Sequence, residues 1–198
     1  KCVIMDAKRN GAAKPEGVKY MPAVFVRPGR PDDVDAIMTV IAGARAFLGN
    51  QNIDQWQGSY PDRVAVELDI QNQANRVLVV DGRVVGIASL IQGPDPFYKY
   101  IEGGSWIGGA DVPYYAIHRF AIGDAGRGLH LSRAFLTALL SELYSRGVRD
   151  VRIDTHPDNK IMQHVVLSNG FEHRGLVYLD EPVPERLAYQ LVFGGATE

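Results

Sequence analysis

One stretch has the residue types and spacing of an anion site: GDAGRGLHLSRAFL, residues 123–136. A strand-forming run, YYAIHRFAI (114–122), leads into it. An amphipathic helix leads out, with Leu131, Phe135, Leu139 and Leu143 recurring every four positions. A strand, a glycine-rich turn and a helix in that order leave the first backbone N–H groups of the helix without intrahelical acceptors. With the positive end of the helix dipole, those groups favour a phosphate. Three phosphate turns compete. A P-loop needs Gly-Lys-Ser/Thr, which is absent. A dinucleotide turn needs Gly-x-Gly-x-x-Gly after a βαβ pair, and here a hairpin-built sheet precedes the turn. A coenzyme A turn is compatible with the residues.

His118 lies on the incoming strand. It stands two residues before Phe120 and so shares a face with it in an unbroken strand. An imidazole, with a reference pKa of ~6.5, takes up a proton near neutral pH and suits general-base work. A core histidine hydrogen-bonded to a carboxylate such as Asp154 is the alternative. His130, His164 and His173 have no spacing of a metal site, and no metal is expected. The single cysteine, Cys2, can form neither an internal disulfide nor a thiolate cluster, which fits a reducing compartment and a cytoplasmic location. With 21 Lys and Arg against 23 Asp and Glu, the net charge of −2 offers no general basic field for nucleic acid. No apolar run approaches the ~20 residues of a membrane span.

The elements that must position these residues follow from periodicity and turn signals. Residues 1–20 read as a polar leader, and 21–198 as one domain. AVFVR (23–27) is a strand, 31–48 a helix opened by Pro31, Asp32 and Asp33, and 63–73 a second helix. Asp81-Gly82 splits 76–92 into a β-hairpin. Strand 114–122, the helix from 129 to 146, strand 148–156 and helix 158–170 come next, and strands 173–179 and 186–193 close the chain. The order β α α β β β α β α β β contains one strand–helix–strand crossover. It predicts an α/β (α+β) layer fold on a mixed, mostly antiparallel sheet of six to seven strands with about four helices. Segment 93–113 is longer than an ordinary connector and carries Tyr98, Tyr100 and Trp106. With Trp56 from the 49–62 link, these rings are candidates for an acceptor pocket. Packing of the segment onto the body is the alternative for each ring.

The chain is similar to the GNAT superfamily of acetyl-CoA-dependent N-acetyltransferases, over residues 23 to 193. Arg127-Gly128-Leu129-His130-Leu131-Ser132 resembles the family's pyrophosphate loop, Arg/Gln-x-x-Gly-x-Gly/Ala, with His130 where a glycine is usual. RIDTHPDN resembles the family's fifth strand running into its fourth helix, and SNGFEHRGLVYL resembles the segment after that helix. IDQWQ, IHR, RIDTH and RLAYQL together look like a bacterial subgroup without an evident substrate.

The resemblance implies acetyl-CoA held by Phe120, Ala121, Ile122, residues 127–132, Asn159 and Met162, in a gap between two splayed strands. It implies direct attack by an amine, small-molecule or peptide, and it allows a homodimer. Some relatives carry a histidine where His118 stands, and others a glutamate two residues earlier, where this chain has Ala116. The family's usual acid, a tyrosine seven residues after the helix asparagine, is replaced by Val166. Tyr178, His156 or solvent would then protonate the leaving thiolate. A catalytically silent coenzyme A-binding or protein-interaction module of the same fold is the competing reading.

Overall fold

The computed structural model describes residues 21–194. The leader expected at 1–20 lies outside them. Strand β1 (Val24–Pro28) is followed by helices α1 (Val34–Gly49) and α2 (Arg63–Gln71), then by strands β2 (Asn75–Val80), β3 (Arg83–Gln92) and β4 (Tyr115–Ile122). Helix α3 (Ser132–Ser145), strand β5 (Asp150–Thr155), helix α4 (Lys160–Ser168), and strands β6 (Glu172–Tyr178) and β7 (Glu185–Val192) complete the chain. This is the order that the sequence predicts.

Local chemistry sets the boundaries. Asp81 and Gly82 both take positive φ (48° and 82°), so the β2–β3 turn has the left-handed pair that matches the twist of a tight hairpin. Asp33 accepts from the Arg27 guanidinium at 2.6 and 2.8 Å and from the Arg30 N–H, fixing the entry to α1. Asp62 caps α2 by accepting from the Ala65 N–H at 2.8 Å. Helix α3 begins at Ser132, three residues later than the leucine spacing alone predicts. The chain from Gly128 to His130 is a left-handed turn and not yet helix (φ 79° and 54°).

The seven strands form one sheet in the order β1-β2-β3-β4-β5-β7-β6. Every neighbouring pair is antiparallel except β4 and β5, which the α3 crossover makes parallel. Helices α3 and α4 cover one face, where Phe135, Leu136, Leu139 and Leu143 pack with Ile117, Val151 and Ile153. Each of those four helix residues is almost wholly buried. Burying each contributes roughly 1.5–3 kcal/mol. Helices α1 and α2 cover the opposite face over β2 and β3, where Ile37, Ile41 and Val66 meet Val77, Val79 and Ile87.

On that second face, segment 93–113 continues the cover over β4, β5, β7 and β6. Its fastener is Arg152, wholly buried on β5. The Arg152 guanidinium lies 3.9 Å from the Tyr114 ring centre and 4.4 Å from that of Trp106, and donates to Gly109 O and to Asp150.

Strand β4 carries a bulge. Ile87 pairs with Ala121 and Ser89 with His118, so Ala88 alone faces Arg119 and Phe120, and Arg119 takes φ 53°. The bulge breaks the alternation that would put His118 and Phe120 on one face. Phe120 stacks on Phe135 of α3 at 5.1 Å, while His118 lies beside Tyr98 on the opposite face, ring centres 5.8 Å apart.

Candidate active site

Strands β4 and β5 are joined only at Tyr115–Val151 and Ala116–Arg152. Beyond these pairs no ladder bond links them, and a cleft of about 700 Å³ opens between Ile117–Ile122 and Ile153–Thr155. It runs from the glycine-rich turn after β4 to the second face of the sheet, where Trp56, Tyr60, Asp95 and Phe97 line it.

At the turn, Gly128 and His130 hold left-handed backbone. A Cβ on Gly128 would meet nothing within 4 Å, so its conformation, and not crowding, is what favours glycine there. His130 adopts a similar left-handed backbone, so the histidine in the usual glycine position keeps the turn's shape at the expense of strain. Among the described residues, the backbone N–H groups of Gly128, His130, Leu131 and Ser132 have no protein acceptor, and no side chain caps α3. They form an open set of donors at a helix N-terminus, which fits the pyrophosphate of coenzyme A. Arg127 lines the same cleft, stacked on Phe47 at 4.2 Å and paired with Asp124 at 2.8 Å. Phe120, Ile153, Met162 and Val165 supply apolar wall further in. Asn159 caps α4 by accepting from the Met162 N–H at 3.0 Å, and its amide donates to Gln55 at 3.0 Å across the cleft.

At the other end stands His118. Its Nε2 is 3.0 Å from Asp95 Oδ2 and its Nδ1 is 4.0 Å from Asp154 Oδ1. Burial pushes the Asp95 carboxyl up, but the hydrogen bond from His118, with that from the Phe97 N–H, outweighs it and holds the group below the usual carboxylate range. An ionised Asp95 can only accept, so the neutral His118 ring carries its proton on Nε2 and its lone pair on Nδ1. Asp95 is itself fixed: its backbone N–H donates to Tyr114 OH at 2.6 Å, and its carboxylate accepts from the Phe97 N–H at 2.9 Å. Tyr98 donates to Asp154 Oδ1 at 2.7 Å. Burial, and then the charge of Asp154, push the Tyr98 phenol well above its ordinary value, so it keeps the proton it donates.

The next residue, Arg119, donates to both oxygens of Asp69 on α2, at 2.6 and 2.7 Å, and to Tyr60 OH. Tyr60 belongs to the 49–62 link, which Arg45 ties down by donating to Trp56 O at 2.6 Å and Pro61 O at 3.2 Å. Arg186, buried on β7, is paired with Glu181 and donates to Val183 O and Glu185 O.

The cleft gathers most of the residues named from the sequence: His118, Phe120, Ala121, Ile122, Arg127, Gly128, His130, Leu131, Ser132, Asn159, Met162 and Trp56 all line it. Others stand elsewhere. Leu129 does not line it and its side chain is exposed. Trp106 is buried against Arg152 and donates to Tyr98 O at 2.8 Å, so it packs the segment down. Tyr98 is buried behind His118 and Asp154, and Tyr100 is exposed away from the cleft. Tyr178 also stands outside the cleft, donating to Glu102 at 2.7 Å, a contact that pushes its phenol up to about 12. Val166 is wholly buried in the α3–α4 core. His156 is buried, its Nδ1 accepting from the Asp158 N–H at 3.1 Å; burial and then Arg186 push its imidazole down. Among the described residues no cluster of His, Cys, Asp or Glu could hold a metal ion, and no helix is long and apolar enough to cross a membrane.

Sequence reasoning missed Asp95, Tyr60 and Arg119. Asp95 had a signal, since it is a lone carboxylate between Pro94 and Pro96, a rigid frame for an acidic side chain. Tyr60 and Arg119 had none, because their pairing depends on the bulge.

Known proteins share this fold. Residues 45–171 match the Acetyltransferase (GNAT) family. A GNAT acetyltransferase from Streptococcus agalactiae 2603 is 34% identical, with a TM-score of 0.79 over 87% of this chain and 96% of that one. One from Listeria monocytogenes 4b F2365 is 18% identical, with a TM-score of 0.67 over 86% and 95% of the two chains. The structure of yncA from Salmonella typhimurium with its cofactor acetyl-CoA has 18% identity and a TM-score of 0.60 over 88% and 97%. No curated protein matches the chain. The chain belongs to the GNAT acetyltransferase family, whose cofactor is acetyl-CoA.

Proposed function

We propose that this chain is an acetyl-CoA-dependent N-acetyltransferase in which His118 is the general base toward a small-molecule or peptide amine. The observation that carries this reading is the continuity of the cleft from the free N–H groups of Gly128 and residues 130–132 to the His118 ring. Acetyl-CoA, when bound, supplies the acetyl group activated as a thioester. The turn donors and Arg127 would hold its pyrophosphate, and the wall of Phe120, Met162 and Val165 its pantetheine arm. His118, its tautomer fixed by Asp95, presents Nδ1 to an acceptor entering past Trp56, Tyr60 and Phe97, and takes a proton from its nitrogen.

The test is an acetyl-CoA turnover screen over chemically diverse amines, followed by His118→Ala. Removing a general base lowers kcat by about 10²–10⁴-fold. The acetyl-CoA Kd should stay within twofold, and the acidic limb of the pH–rate profile should vanish. A folded His118→Ala enzyme with near-normal kcat across neutral pH overturns the assignment. Acetyl-CoA binding without turnover of any amine would make the chain a silent binding module.

A further inference from the structure

His118 Nδ1 and Asp154 face each other across the cleft as two acceptors with no donor between them. Asp95 fixes the Nδ1 lone pair, and Tyr98 fixes the Asp154 carboxylate by donating to Oδ1. The separation of 4.0 Å is too long for a hydrogen bond between the two, but it leaves room for one nitrogen donating to both. The Asp154 side chain is only 9% exposed, and among the described residues nothing donates to its Oδ2. A desolvated carboxylate beside a lone pair calls for a cationic donor.

Each arginine lining this end of the cleft is already paired with a carboxylate. The Arg119 guanidinium is taken up by Asp69 and Tyr60, and that of Arg186 by Glu181 and two carbonyls. Asp180, exposed on the cleft wall, adds another carboxylate.

We propose that His118 Nδ1 and Asp154 form a seat for the acceptor as its ammonium, and that the acceptor is an aliphatic primary amine without an adjacent carboxylate. This rests on the acetyltransferase reading above. The seated R–NH3⁺ donates one N–H to Asp154 and one to His118. The second proton passes to Nδ1: that N–H bond breaks, the Nδ1–H bond forms, and the electron pair stays on the amine nitrogen for attack. Asp154 binds and orients the amine and selects for charge. Tyr98 and Asp95 are positioning residues.

The experiment measures kcat/KM with acetyl-CoA for alkyl mono- and diamines, for α-amino acids, and for aniline, which is uncharged at neutral pH. Alkylamines should exceed both other classes by at least about tenfold. In Asp154→Asn the alkylamine-to-aniline ratio should fall by about 10–100-fold, the worth of a hydrogen bond to a charged group, chiefly through the alkylamine KM. The acetyl-CoA Kd should stay within twofold. Asp154→Glu, which keeps the charge, should keep the preference. Tyr98→Phe, which frees the carboxylate without removing it, should lower the ratio by about 3–10-fold, less than Asp154→Asn because the charge stays. A preference for aniline or amino acids, or an unchanged ratio in both Asp154→Asn and Tyr98→Phe, overturns the seat while leaving the enzyme an acetyltransferase. No turnover of any amine, with acetyl-CoA bound, overturns the acetyltransferase reading itself and the seat with it.

Discussion

Arg119 and Asp69 meet side-on, two N–H groups to two carboxylate oxygens, and so bolt the bulge of β4 to helix α2. Ser89 donates to the same carboxylate at 2.5 Å. The contact holds Arg119 in its left-handed backbone, and that conformation turns His118 and Phe120 to opposite faces. Asp69→Ala would leave the largely buried Arg119 guanidinium without its carboxylate, which costs up to about 3–5 kcal/mol. Urea unfolding should record that loss. The turnover rate should fall with it, as the bulge relaxes and His118 leaves Asp95. A variant with wild-type stability would show that the bulge needs no such bolt.

The turn at 128–130 gives a pair of opposite outcomes. His130→Gly relieves a left-handed side-chain conformation and should raise stability by up to about 1 kcal/mol. Gly128→Val forces a β-branched residue to φ 79° and should distort the donor set. Calorimetry should find the acetyl-CoA Kd raised at least about tenfold by Gly128→Val and little changed by His130→Gly. Unchanged affinity in Gly128→Val would remove the turn from the binding site.

The two tryptophans should separate cleanly. Trp106 is packed on Arg152, so Trp106→Ala should cost about 3–5 kcal/mol and affect both substrates through the collapse of segment 93–113. Trp56 lines the cleft, so Trp56→Ala should raise the acceptor KM more than the acetyl-CoA KM. Steady-state kinetics on both substrates, set beside thermal melts, distinguishes the two. A selective acceptor effect from Trp106→Ala would contradict its packing role.

Glu142 of α3 gives a pH dependence. It accepts from the buried Arg76 at 2.7 Å. Burial pushes its carboxyl up, but the Arg76 hydrogen bond and charge outweigh that and hold it below its ordinary value. A depressed folded pKa contributes stability that is present above the unfolded value, about 4.3, and is lost as the pH falls through the folded one. Glu142→Gln should therefore lose roughly 1–3 kcal/mol at pH 7, less than a fully buried pair because Glu142 is partly exposed. The difference from wild type should shrink as the pH falls below about 4. Denaturant melts at pH 7 and pH 3 check the sign. An equal difference at both would mean that charge plays no part.

The order of elements was legible because each boundary is signalled within a few residues. Asp81-Gly82 turns the hairpin, Gly147 at φ 85° ends α3, and Asn169-Gly170 ends α4. The sheet order was less so. Strand β7 inserts between β5 and β6, and its partners on β5 lie 32 to 42 residues back in the chain. The bulge was invisible, because arginine does not advertise a positive φ as glycine or asparagine would, and an alternation counted through it puts His118 and Phe120 on one face. The Asp95–His118 contact spans 23 residues and the Asp154–Tyr98 contact 56, so neither has a local spacing to read. Composition marked 93–113 as aromatic. Which rings face the cleft and which pack is decided by Arg152, whose burial no local pattern announces.

The short pairing of β4 with β5 means that this sheet has edges on its inside. An unpaired strand edge on a protein's surface is a template on which another chain can add itself. Past Ala116 and Arg152, the two edges look at each other across a slot roofed by helices on one face and by the 49–62 link on the other. The slot is too confined for a folded neighbour to lay a strand in it, yet a thin, flexible molecule bearing amides can lie along it. The same missing rungs that would invite aggregation at the rim serve here as a socket.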